Sequence, residues 1–345
     1  MARKIANGVA VSEIAKDAGV SNSTVSRFLN HPEKVTEATT KLIQASMDRL
    51  GYDISKANRT KNTIRPAIIV FACNSISDND KFVSTIIEGV TSFCTQMKYN
   101  LLIKIITPDE KGYEDLCRTI QIINTQGLIT MAQLSHRQLT SIAEQIPIVQ
   151  CCEYNGNEIS SSVSIDLNNA TRKLMYHILT SGRRKIGFMS MKDNPMFIAQ
   201  QRRYAYRNVI ETENLEYNPD WEILLGQTDF SIAMSSALRV LSSVNRPDAF
   251  IASSDYYAAA IIKAAYMAGL KVPEDVVVCG FDNLEISEAM TPTITTINIP
   301  AYQMGYISCE QLIHTIESKN TKKQNIYLDT NLIIRGSSTS LETYS

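Results

Sequence analysis

The stretch from Val11 to Asn30 constrains this chain more than any other, because its small, apolar and polar positions are spaced for two short helices that cross at a tight turn. Ile14 and Ala15 form the inner face of the first helix, and Ala15 is small where the second helix crosses it. Gly19 ends the first helix by tolerating a positive φ. Val20 is the inward turn residue, Ser21 stands where an N-cap belongs, and Val25 with Leu29 makes the inner face of the second helix. The outward set, Asn22, Ser23, Thr24, Ser26 and Arg27, is short and polar, a surface suited to base edges and phosphates in a major groove. A third amphipathic helix is predicted over Glu37 to Leu50, with Leu42, Ile43, Ala45, Ser46 and Leu50 at helical spacing and Gly51 just past its end. Together these segments predict a three-helix, helix-turn-helix head over residues 1–53, followed by a linker over 54–66.

Charge follows the same division. Residues through Arg65 carry a net charge of +5, and the remainder carries −6, for the overall −1. The basic excess lies where a duplex would present phosphates, which predicts salt-sensitive attraction to DNA.

From Pro66 onward short apolar strands alternate with amphipathic helices. The strand candidates are Ala67 to Cys73, Asn100 to Ile106, Gly127 to Met131, Ile148 to Cys152, Lys185 to Met189, Glu222 to Leu225, Ala249 to Ala252 and Val276 to Phe281. Such alternation specifies an α/β core of doubly wound parallel sheets. Eight units are many for one sheet, so residues 67–340 are expected to form two lobes. The polar stretch Tyr154 to Ser164 reads as the crossing between them. The ligand cleft of such a fold lies between the lobes, outside the carboxyl ends of the strands.

Several classes are excluded. No apolar run approaches the roughly 20 residues that span a bilayer, and the N-terminus lacks a signal peptide's apolar region, so a cytoplasmic protein without membrane partners is expected. The seven cysteines, with Cys151 and Cys152 adjacent, show no metal-ligand spacing and are expected to be buried thiols. Dinucleotide, P-loop and nucleophile-elbow motifs are missing, and His31, His136, His177 and His314 are scattered. The chain is therefore expected to bind rather than to catalyse, with no metal and no cofactor. A different class also fits these features: a small-molecule-binding protein whose N-terminal helices contact another protein.

The motifs resemble one family, the LacI/GalR (lactose-repressor-type) bacterial transcription regulators, over nearly the whole chain. In the head the resemblance rests on the run from Val20 to Asn30, on Val35-Thr36 and on Leu50-Gly51-Tyr52. In the core it rests on Ser181 to Phe188, Ser254-Asp255, Gly269 to Asp275, Gly280 to Asn283 and Thr295 to Ile297. It implies a core of periplasmic-binding-protein type that closes on a small effector, usually a sugar or a derivative such as a sugar acid or sugar phosphate. It also implies a homodimer reading a pseudo-palindromic DNA operator, usually as a repressor. Carried over by position, the DNA contacts are Ser21, Asn22, Ser23, Ser26 and Arg27, with Asn30 and Thr36 near the backbone. The effector residues are Asp80 and Phe82 from one lobe and Arg202, Phe230 and Asp282 from the other. Cys152 and Ser254 fill pocket positions where the family often has Asp and Asn, leaving fewer hydrogen-bonding groups.

The linker departs from the pattern. Where the family carries a leucine that wedges into the minor groove, this chain has Lys61, so its contribution is expected to come from phosphate contacts. The tail beyond Ile333 is too short for a tetramerising heptad seam, and a dimer is expected.

Overall fold

The computed structural model describes residues 11–30, 34–50, 52, 67–76, 81–152, 159–192, 197–226, 229–318 and 322–339. The linker with Lys61, and Asp80, lie outside these residues. The chain divides into two compact units, Met1–Pro66 and Ala67–Ser345.

In the first unit α1 spans Val11–Ala18, α2 spans Asn22–Asn30 and α3 spans Glu37–Leu50. Gly19 takes φ +66°, which turns the chain between α1 and α2. Val20 then donates its N–H to the Ala15 carbonyl at 3.0 Å. The core consists of Ile14, Ala15, Ala18, Val25, Phe28, Ile43, Met47 and Tyr52. Two details differ from the expected pattern. Phe28 is buried while Leu29 is only half-buried, and on α3 the inner face runs through Ile43, Ser46 and Met47, leaving Leu42 and Ala45 exposed. A rotation of about 100° per residue separates those two faces, and tertiary packing selects the one that also buries Ser46. The Ser46 hydroxyl donates to Asp17 Oδ2 at 2.6 Å, and Arg49 Nη2 donates to the same oxygen at 2.8 Å, so α3 is tied to α1 by polar contacts as well as apolar ones.

The second unit contains two six-stranded sheets, ordered β11-β5-β4-β3-β1-β2 and β12-β10-β9-β8-β6-β7. The strands of the first sheet are β1 (Ile68–Cys73), β2 (Asn100–Ile105), β3 (Gly127–Thr130), β4 (Ile148–Cys151), β5 (Ser161–Ile165) and β11 (Asn325–Leu328). Those of the second are β6 (Ile186–Met191), β7 (Glu222–Leu225), β8 (Ala249–Ala252), β9 (Val277–Asp282), β10 (Thr295–Asn298) and β12 (Asn331–Ile333). All neighbouring pairs are parallel except β10 with β12. The helices are α4 (Lys81–Gln96), α5 (Glu110–Ile123), α6 (His136–Ala143), α7 (Leu167–Thr180), α8 (Phe197–Thr212), α9 (Phe230–Leu241), α10 (Asp255–Met267), α11 (Glu285–Ala289) and α12 (Ala301–Ser318).

The expected inter-lobe crossing over Tyr154 to Ser164 is corrected by this topology. Ser161–Ile165 is a fully buried strand of the first sheet, and the chain crosses only after it, between Ile165 and Leu167. Its serines read as loop residues, yet they are satisfied by the edge strand region: Ser162 Oγ donates to Asn325 Oδ1 at 2.9 Å, and Ser161 Oγ accepts from Gln324 N at 3.2 Å. Two further crossings follow, from β10 into α12 and from β11 into β12. One apolar cluster runs through this seam, with Val163, Ile165 and Leu167 packed together with Ile297, Ile299 and Ala301.

Helices α4 and α12 pack at backbone distance. A Cβ on Gly89 would collide with the Tyr302 carbonyl oxygen, and one on Gly305 with that of Ile86. All seven cysteines are without disulfides, and Cys94 and Cys309 meet in this interface at 3.4 Å. Gly89→Ala is therefore expected to reduce stability by about 1–3 kcal/mol through forced separation of the two helices. Urea unfolding of the variant against wild type measures it; an unchanged midpoint would contradict the close packing.

Candidate functional site

In the first unit the polar surface is carried by α2. Ser21 caps it: Thr24 N donates to Ser21 Oγ at 3.1 Å, while that hydroxyl also lies 2.7 Å from Ser23 Oγ and 2.8 Å from Thr24 Oγ1. This chain of hydroxyls orders the first turn. Ser21, Asn22, Ser23, Ser26 and Arg27 are all exposed, with Val25 and Phe28 buried on the opposite face. Asn30 closes α2, and Thr36 precedes α3, exposed, with its hydroxyl 2.9 Å from Thr39 Oγ1. A rigid helix that presents short donors and acceptors and one guanidinium is chemically equipped for a DNA groove.

In the second unit the charged centre is a buried pair. Arg202, on α8, donates Nη2 to Asp282 Oδ1 at 3.2 Å and Nη1 to the Ser253 carbonyl, and its guanidinium stacks 4.3 Å from the Phe281 ring centroid. Both side chains are at least nine-tenths buried. The neighbouring Arg203 and Arg207 instead bind Glu222, itself buried, at the edge of β7. Asp282 ends β9 at φ +95°, followed by Asn283 at φ +55°. This reversal at the strand end is held by Arg335, whose Nη2 donates to Asn283 Oδ1 at 2.9 Å, and by Asn283 Nδ2 donating to Asn298 Oδ1 at 3.0 Å.

Phe82, at the start of α4, and Asp282 line one cleft of about 400 Å³ together with Lys81, Asn283 and Asn298. Lys81 Nζ meets Glu285 at 2.6 Å, joining the α4 and α11 sides of that cleft. The structure thus brings Phe82, Asp282 and Arg202 into one neighbourhood. The remaining expected residues are placed differently. Ser254 caps α10, accepting from Tyr257 N at 3.4 Å, and Phe230 packs edge-on to Tyr256 with ring centroids 5.4 Å apart. Cys152, buried at φ +68°, lines a separate cavity at the lobe crossing. Lys81, Asn283, Asn298 and Arg335 were not anticipated. Lys81 and Asn283 stand next to expected residues, so adjacency was their signal; Arg335 had none.

Asp255 is fully buried at the first position of α10, with Leu284 N donating to its Oδ2 at 2.7 Å. Burial pushes its carboxyl up to about 8. The folded state then holds a proton that the unfolded chain releases near pH 4, so this group's stabilisation is lost as pH rises through about 8. Wild-type stability is expected to fall between about pH 5 and about pH 8, by up to about 1.4 kcal/mol per pH unit from this group. In Asp255→Asn the slope should flatten. Denaturant midpoints across that range decide it, and parallel profiles for the two proteins would contradict the assignment.

Among the described residues no helix is long and apolar enough to cross a membrane, and no group of His, Cys, Asp and Glu is arranged to hold a metal ion.

Comparison with known proteins bears on both units. Residues 10–55 match the model for bacterial regulatory proteins of the lacI family, and residues 175–338 match the periplasmic binding protein-like domain. The NTD biosynthesis operon regulator NtdR of Bacillus subtilis (strain 168) is 30% identical over 335 residues, covering 95% of this chain and 99% of that protein. The ribose operon repressor of Haemophilus influenzae is 26% identical over 342 residues, covering 96% and 99%. Among solved structures, the lac repressor dimer bound to operator and the anti-inducer ONPF superposes with a TM-score of 0.73 at 20% identity, covering 96% of this chain and 99% of that one.

Proposed function

Since the chain belongs to the LacI family of bacterial regulatory proteins, we propose that it is a cytoplasmic, homodimeric repressor whose affinity for operator DNA is set by a small molecule bound between the two lobes of its core. The observation that carries this reading is the α2 surface: a capped, packed helix that, among its described residues, exposes Asn22, Ser23, Ser26 and Arg27. Residues 1–53 act as the head, 54–66 as the linker and 67–340 as the effector-binding and dimerisation core. Asn22 and Ser23 read bases, and Ser21, Ser26, Arg27, Asn30 and Thr36 position the backbone. The relatives named for ribose point to a sugar or sugar derivative as effector. Arg202 and Asp282 supply opposite charges for its hydroxyls, and Phe82 an apolar face. A ligand touching both lobes shifts the equilibrium between lobe arrangements only as far as it binds them unequally.

Two variants test the division of labour on DNA. Arg27→Ala should weaken binding to specific and random sequences alike, about 10-fold at moderate salt, with a smaller salt slope. Asn22→Ala should reduce the preference for the specific site by about 1–3 kcal/mol while leaving random-sequence affinity unchanged. Fluorescence anisotropy with both DNAs measures this, and equal losses on both DNAs in Asn22→Ala would reject its base-reading role.

The cleft is tested separately by a thermal-shift screen of sugars, sugar acids and sugar phosphates. A ligand that raises the melting temperature of wild type should fail to do so for Asp282→Ala, whose DNA binding without ligand is preserved. An undiminished shift in both Arg202→Ala and Asp282→Ala would put the pocket elsewhere.

A further inference from the structure

A second cavity, of about 520 Å³, sits where the chain crosses between the lobes, with Ser164, Asp166, Asn168, Gln201, Tyr327 and Asp329 on its wall. Its electrostatics are one-sided. Ile165 of β5 and Leu328 of β11 are register partners in a parallel pair, so Asp166 and Asp329, each the next residue, leave neighbouring strand ends about 4.8 Å apart in the backbone. Like charges so placed repel. Among the described residues no Lys, Arg or His lines the cavity and neither carboxylate has an ion-pair partner. Asp166 Oδ1 caps α7 by accepting from Asn169 N at 2.9 Å, and Lys173 on the same helix is committed to the Thr330 carbonyl at 2.8 Å.

The second observation is independent of charge. Ser164 is 4% exposed, and its Oγ is buried without a hydrogen-bond partner. Its neighbours Val163 and Ile165 belong to the apolar core, so the alternation of β5 turns Ser164 toward the side of its register partner Tyr327. A buried hydroxyl left unpaired costs about 1–3 kcal/mol, which a bound donor or acceptor recovers.

We propose that this cavity is a second small-molecule site, specific for a primary amine that also carries hydroxyl groups. The ammonium sits between Asp166 and Asp329, a ligand hydroxyl pairs with Ser164 Oγ, and the amides of Asn168 and Gln201 take further hydroxyls. Tyr327, 56% exposed, offers its ring face to the cation or to C–H groups. The volume suits a molecule of monosaccharide size. An organic ammonium fits better than a metal ion, since no trio of ligating side chains assembles among the described residues. The cavity shares Cys152 with the expected effector set but none of Arg202, Asp282 and Phe82, so the proposal stands whatever the main cleft binds. Asp166 and Asp329 flank two of the three crossings, so an ammonium here relieves repulsion at the seam on which lobe movement turns.

Isothermal titration of the full chain with D-glucosamine, 2-aminoethanol and putrescine at fixed ionic strength tests the proposal, with D-glucose and N-acetylglucosamine as uncharged controls. Saturable binding of at least one amine is expected, with the hydroxylated amines tighter than putrescine and with neither uncharged control showing any binding that Asp329→Asn weakens. Asp329→Asn should weaken it about 10-fold and Asp329→Lys should abolish it; the residue is exposed, and both variants should melt as wild type does. Arg202→Ala should retain amine affinity within about twofold. Silence of all three amines, binding of N-acetylglucosamine that Asp329→Asn weakens as much as it weakens the amines, or loss in Arg202→Ala with retention in Asp329→Asn would each overturn the proposal.

Discussion

Three passages of the chain between two six-stranded sheets constrain everything else in the core. Each sheet is parallel apart from β12, so the carboxyl ends of its strands come out on one side, and β5, β10 and β11 each hand the chain across a seam. The strand-end residues that bear polar groups, Asp166, Asp282, Asn298 and Asp329, are therefore gathered at the seam rather than dispersed over the surface. The apolar cluster that runs through Val163, Ile165, Ile297 and Ile299 keeps the crossings ordered. The lobes are joined by only a few residues at each passage, the arrangement by which hinged domains convert a ligand contact into a change of angle.

Burial gives the charged pair its leverage. An arginine and an aspartate taken out of water are costly unless both are paired and hydrogen-bonded. Here the Ser253 carbonyl, the Phe281 ring and Asp282 share the Arg202 guanidinium, while the Asn283–Arg335 contact fixes the left-handed turn that points the strand end toward the cleft. A polar ligand entering such a site meets groups already oriented, so little ordering opposes its binding. The Lys81–Glu285 contact is of another kind. It is exposed, salt-screened and worth little to stability, yet it spans the cleft and so is sensitive to lobe position.

Much of this was legible in the residues alone. The head's helices fall where Gly19, Ser21 and Gly51 punctuate the apolar spacing, and eight strands of the core announce themselves as apolar runs between helices. What was not legible has physical causes. The β5 strand is written in serines whose hydroxyls find partners only once Gln324 and Asn325 arrive from far along the chain. Phe28 and Met47 displace the expected inner residues because the face that is buried is decided by how three helices meet. Arg202 and Asp282 were found through resemblance, but their direct contact across 80 residues, and the hold of Arg335 on Asn283, belong to the fold and leave no local pattern.

In the proposed function the chain reads DNA as a symmetric dimer through its second helix. In vitro selection of bound duplexes from a randomised pool measures this without presupposing a target. Enrichment of an inverted repeat is expected, with half-sites about one helical turn, roughly 10 base pairs, apart. Enrichment of no motif, or of a single asymmetric site bound by one protomer, would contradict it.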